Sequence, residues 1–247
     1  IDFVEAGELT FEVAKAGKGD HLALLLHGFP ELHYSWRHQI PLLAEMGYRV
    51  WAPNLRGYGG TSRPEGVRQY AFDKLTGDVD ALINASGAKK VTLFAHDWGA
   101  IIAWAYAITR KTALERLVIM NVPHPKPAAR EIKHWHQRKK SWYIYFFQLP
   151  FLPEKMLGRE GGDAVGNLIA RTACNRERFG RDVRAVYSDA ARREGARTAM
   201  VNYYRALARH RKTLPMGDFR VEVPTLMVWG EADVAIRLHA PPQPDFI

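Results

Sequence analysis

The chain has 247 residues, 47% of them hydrophobic, enough to bury one substantial core. No apolar run approaches the about 20 residues of a spanning helix, so no membrane span is expected, and the single Cys174 excludes an internal disulfide and fits a reducing, cytoplasmic setting. The net charge of +9 is uneven: residues 126–213 hold 20 Lys+Arg and 8 Asp+Glu, a net of +12, against −3 elsewhere, a break that marks a separate structural unit with a solvated basic surface.

The opening, "IDFVEAGELT", is neither a secretory signal nor a transit peptide, and it lacks an initiator Met, which suggests trimming. "FVEAGELTFEVAKAG" alternates on either side of Gly7, as in an antiparallel strand pair. "HLALLLHG" is a short continuous apolar run, the pattern of a strand buried on both faces. "SWRHQIPLLAEMG" reads as a helix stopped at Gly47, with Pro41 as a distortion or break. "YRVWAPNLRGYGGTSRP" is a second buried strand running into a Gly-rich loop. In "FDKLTGDVDALINASG" Phe72, Leu75, Val79, Leu82 and Ile83 share one helical face.

"KKVTLFAH" is then a strand, "GAIIAWAYAITR" a helix and "LERLVIMNVPHP" a strand ending in two prolines. Strand–helix alternation after an antiparallel start predicts an α/β chain with a mostly parallel sheet flanked by helices. The pattern breaks at Pro123 and Pro125, becomes helical, aromatic and basic, and resumes at "VEVPTLMVWGEAD". The expected organisation is a core of residues 1–125 and 214–247 with a helical cap, 126–213, inserted into it.

In "LFAHDWGAIIAWAYA" one carboxylate, Asp97, stands between a strand and a helix. A strand entering a helix through one residue makes a sharp turn whose apex side chain stands at the sheet edge where ligands bind. Such a turn needs small residues two positions either side, here Ala95 and Gly99. Asp97 could simply cap the helix. As an aspartate, with an ordinary pKa of about 3.9, it is also a ready nucleophile towards a saturated carbon, forming an ester that water must then cut. "HGFP", His27 to Pro30, follows the third strand, where the fold takes one oxyanion donor, the Phe29 N–H; Trp98, after the nucleophile, supplies the other.

Together "HGFPELHYSWRHQIP", "APNLRGYGGTSRP", "FAHDWGA", "NVPHP", "WYIYFFQLP", "NYYRAL" and "VWGEAD" make the chain resemble the α/β-hydrolase-fold epoxide hydrolases, from about Phe3 to Asp233. The resemblance implies that Asp97 is the nucleophile, that Phe29 and Trp98 form the oxyanion hole, and that Asp233 orients the general base. It places two phenolic donors at Tyr143 and Tyr204, with Tyr145 and Tyr203 as near neighbours that a shift of register would select instead. Trp142, Tyr145, Phe146 and Phe147 are expected to be packing residues. The implied reactants are a small apolar epoxide and water, with no cofactor, no metal and no nucleic acid. A homodimer is compatible with the pattern.

Haloalkane dehalogenases share the "HDW" turn, but many carry Asn after "HG" where this chain has Phe29. Fluoroacetate dehalogenases usually carry Arg where this chain has Trp98. A catalytically impaired hydrolase-fold protein that binds a ligand is a further alternative. It draws on the base: the family's histidine follows a further helix and strand, yet only 14 residues, "VAIRLHAPPQPDFI", come after Asp233. His239, the one histidine there, does not match the motif. Without a base, Asp97 is expected to be alkylated once and the ester to persist. His27 and His96 read as hydrogen-bonding residues of their turns, and His134 and His136, at i,i+2 spacing, as ordinary histidines.

Overall fold

A computed structural model describes residues 1–109, 114–131, 139–214 and 219–233. Seven strands form one sheet in the order β1-β2-β4-β3-β5-β6-β7: β1 Asp2–Ala6, β2 Leu9–Ala16, β3 His21–Leu26, β4 Arg49–Pro53, β5 Lys90–His96, β6 Arg116–Met120 and β7 Thr225–Val228. β1, β2 and β4 are joined antiparallel, and the other pairings are parallel. The alternation in β2 buries Leu9, Phe11 and Val13 on one face, whereas β3 buries every residue from Leu22 to Leu26. β3 is a central strand with helices on both faces, so both of its faces must be apolar.

The first helix is shorter than its sequence pattern. His33–Trp36 forms a 3₁₀ turn and α1 runs only Gln39–Glu45, which places Pro41 in the first turn, where a missing N–H costs no intrahelical bond. Gly47 ends the segment at φ +89°. The amphipathic face predicted for the next helix is correct: α2, Phe72–Ser86, buries Phe72, Leu75, Val79, Leu82 and Ile83. α3, Trp98–Thr109, is buried on almost every side, and its Gly99, Ala100 and Ala103 let it lie close against the sheet. β6 stops at Met120, ahead of the prolines, because Asn121 turns the backbone to φ +59°.

Between β6 and β7 the described residues contain helices and turns only. These include α4 Pro125–Glu131, α5 Trp142–Phe146, α6 Leu152–Leu157, α7 Ala164–Thr172, α8 Arg181–Arg192 and α9 Ala196–Arg209. The basic residues of this region are not all solvated. Arg205 is buried and paired with Glu154. Parallel pairing brings the C-terminal ends of β3, β5, β6 and β7 to one edge, and every predicted core site residue follows one of those ends.

Candidate active site

Asp97 is the single residue between β5 and α3, with φ +49°. A non-glycine residue there costs about 1 kcal/mol or more, so the surroundings must impose it. They do so by close approach. A Cβ on Gly99 would lie 2.3 Å from the Leu26 carbonyl oxygen, and one on Gly28 would lie 2.4 Å from Cβ of Asp97. The small residues are therefore a steric requirement of the turn, and Gly28 belongs to it as firmly as Gly99.

The Phe29 N–H donates to Oδ1 of Asp97 at 2.7 Å, and the Trp98 N–H also donates to this carboxylate. Both predicted oxyanion donors thus converge on the oxygen side of Asp97. Burial raises the Asp97 pKa above the ordinary carboxylate value, while the charge of His96 and the two backbone donors draw it back only in part.

Tyr204 is buried on α9, edge-on to Phe29 (ring centroids 5.1 Å), Trp98 (5.0 Å) and Tyr143 (5.9 Å). Burial pushes its pKa well above the usual phenol value, and the Asp97 charge adds to this. Tyr143, on α5, is pushed up to about 12 by burial and by the charges of Asp97 and Asp233. Both side chains therefore stay protonated donors throughout the physiological range.

Their neighbours in sequence sit elsewhere. The Tyr203 hydroxyl donates to the Arg56 carbonyl at 2.8 Å in a fully buried position, and Tyr145 is 62% exposed. The expectation that Trp142 and Tyr145 are packing residues is corrected, since both lie mostly in solvent; a five-residue helix has only one side to bury, and Phe147 takes the core position.

Asp233 lies beyond β7 and accepts a hydrogen bond from Nδ2 of Asn121. Asn121 also receives the Gly230 N–H at 3.2 Å, so one amide ties the end of β6 to the loop carrying the acid. Asn121 was not singled out from sequence; its signal was an Asn, tolerant of left-handed backbone, directly after a strand. Glu31, also missed, pairs with His96. His239, His134 and His136 lie outside the described residues. His27 is fully buried, with Nε2 accepting the Leu55 N–H at 3.0 Å and Nδ1 donating to the Gly28 carbonyl at 2.8 Å.

Among the described residues no His, Cys, Asp and Glu cluster could hold a metal, and no helix is long and apolar enough to cross a membrane. A surface cleft of about 360 Å³ lined by Asp163, Arg181, Arg184 and Arg192, among others, contains none of the predicted site residues.

A family model described as the alpha/beta hydrolase fold matches residues 24–246. The AB hydrolase superfamily protein YfhM of Bacillus subtilis is 39% identical over 94% of this chain and 80% of its own length. Epoxide hydrolase 4 of Mus musculus is 36% identical over 94% of this chain, which spans only 65% of that relative. Among solved structures, a Bacillus megaterium epoxide hydrolase in complex with an inhibitor superposes with a TM-score of 0.86 at 27% identity, covering 95% of this chain and 84% of that one. The epoxide hydrolase VrEH1 from Vigna radiata gives 0.77 at 32% identity, covering 95% and 80%.

Proposed function

The chain belongs to the α/β-hydrolase fold family, and from that premise we propose that it opens a small apolar epoxide to a vicinal diol through an ester on Asp97. The observation that carries this reading is the carboxylate at a strained turn, with Oδ1 on the Phe29 N–H at 2.7 Å and two protonated phenols beside it.

In the first step the free oxygen of the Asp97 carboxylate attacks a ring carbon, and the C–O bond to that carbon breaks. Its electron pair moves to the ring oxygen, which Tyr143 and Tyr204 meet with hydrogen bonds and one proton. In the second step water attacks Cγ of the ester. The oxyanion forms on Oδ1, the atom already held by the Phe29 N–H, so that donor does not have to move. A base, a histidine implied by the resemblance and oriented by Asp233, takes one proton from the water and passes it to the departing alkoxide. The diol is released, and the remaining proton returns to the phenolate, which restores both carboxylate and phenol. Residues 126–213 serve as the cap, contributing both phenols and, with Phe29, Trp98 and Phe147, an aromatic wall suited to an apolar substrate.

Incubation with an apolar epoxide followed by intact mass measurement tests the reading. An adduct equal to the mass of the epoxide, absent in Asp97→Asn, is expected. Steady diol formation reports a working base, and a stoichiometric adduct without turnover reports its absence. No adduct and no diol would overturn the proposal.

A further inference from the structure

The described residues expose twelve large apolar side chains, and five of them fall in one short part of the insertion: Trp142, Tyr145, Leu149, Phe151 and Leu152. From Ser141 to Pro153 the sequence, "SWYIYFFQLPFLP", holds no charged residue. α5 divides this stretch by side. Phe147, just after it, is buried, and half-buried Tyr143 sets its ring against Phe147 and Tyr204. Trp142 and Tyr145, three positions apart, share the outer face, with the Phe146 ring 5.7 Å from that of Trp142. Folded surfaces ordinarily carry such residues singly, so a gathering of them marks a contact face.

Phe151 forms the tip of this face. It is 83% exposed, and its backbone stands at φ +60°, a region that a bulky L side chain rarely enters. The tip is also fixed. Pro150 and Pro153 flank it, the Leu152 N–H donates to the Pro150 carbonyl at 2.6 Å, and the Lys155 N–H donates to the Phe151 carbonyl at 2.9 Å. Neither the turn nor the core needs an aromatic there: a glycine would relieve the backbone, and a polar side chain would suit water. The ring is held out in solvent by a built turn.

The rim decides what covers it. Lys139 and Lys140 precede the apolar stretch and Lys155 and Arg159 follow it, with Lys139, Lys155 and Arg159 exposed. The one acid among residues 139–159, Glu154, is part-buried and engaged by Arg205. A second copy docked about a two-fold axis would set this basic rim against itself, which like-charge repulsion opposes. A bilayer with anionic headgroups suits both parts. Aromatic and aliphatic side chains enter the boundary between headgroups and acyl chains, and the basic residues meet the phosphates.

We propose that the outer face of residues 142–152, rimmed by Lys139, Lys155 and Arg159, docks peripherally on an anionic lipid bilayer without crossing it. On the reading that the substrate is an apolar epoxide, docking brings the helix that carries Tyr143 next to the phase in which such a compound dissolves. Docking itself does not rest on that reading.

Co-sedimentation with vesicles of phosphatidylcholine, alone or mixed with phosphatidylglycerol, tests this at low and high salt and without epoxide. Binding to the mixed vesicles is expected, weakened by salt and much weaker on phosphatidylcholine alone. Phe151→Ser should lower the affinity at least about tenfold, and Lys155→Gln about fivefold. Circular dichroism should not change, since both side chains lie in solvent. Should Phe151→Ser not fold, Leu152→Ser takes its place with a loss of the same order. No binding to the mixed vesicles, equal binding to both kinds, or a Phe151→Ser chain that binds as tightly as wild type overturns the proposal. Light scattering without lipid identifies the other occupant: a dimer that Phe151→Ser dissolves, in a chain that ignores vesicles, gives the face to a second copy and overturns the lipid assignment. Vesicle binding by a chain that forms neither adduct nor diol defeats the proposed function and leaves docking in place; the converse result defeats docking alone.

Discussion

Asp97 and Tyr204 both meet Phe29, yet the two regions that carry them hold their side chains by different means. On the sheet side everything depends on backbone proximity: Gly28, Gly99 and Asp97 are packed so closely that no added methyl fits, and the donors to the carboxylate are main-chain N–H groups. On the insertion side the phenols are held by side chains. Nε2 of Gln148 donates to the Tyr204 carbonyl at 3.0 Å and to that of Ile144 at 3.1 Å, linking α9 to α5. Arg205 pairs with Glu154 at 2.5 Å and donates to the Leu149 carbonyl at 2.6 Å. The sheet edge is a steric template that accepts one size of residue, whereas the insertion is a network in which each part contributes a little.

If that contrast holds, substitutions at the sheet edge should be all-or-none and those in the insertion graded. Asp97→Asn should have the largest effect, lowering adduct formation by on the order of 10⁴-fold or more, with the fold retained by circular dichroism. Gly99→Ala should cost about 3 kcal/mol, read from the urea midpoint, because the new Cβ meets backbone oxygens that cannot yield without shifting β3. A midpoint equal to wild type would show that the turn is looser than described.

In the insertion, Tyr143→Phe and Tyr204→Phe should each slow alkylation on the order of 10²-fold, whereas Tyr145→Phe should not change it. Equal losses at all three positions would mean that general packing, and not donation to the ring oxygen, sets the rate. Glu154→Gln should cost about 2 kcal/mol, since Arg205 would keep its charge without the matching carboxylate. The smallest effect is expected for Tyr203→Phe, about 1 kcal/mol for one buried hydroxyl bond, with alkylation rate preserved.

Much of this was legible before any coordinates. Periodicity alone separated the half-buried hairpin strands from the buried β3, marked the face of α2 and located the turn at Asp97, because each depends on residues close in sequence. The turn and the loop after β3 pointed to Phe29 and Trp98, and the resemblance to the epoxide hydrolases implied Asp233, Tyr143 and Tyr204. Three things needed the tertiary structure. The choice of Tyr204 over Tyr203 depends on which side of α9 meets Trp98 and which meets the Arg56 carbonyl, about 100 and 150 residues away in sequence. The Asn121 clamp on Asp233 joins residues 112 apart. The opposite pKa shifts of the two histidines also depend on folding: burial pushes His27 down, whereas the Glu31 carboxylate near the His96 ring pushes that one up. Local sequence determines which backbone shapes are affordable, but a side chain's partner and its protonation are set by atoms that only folding brings near.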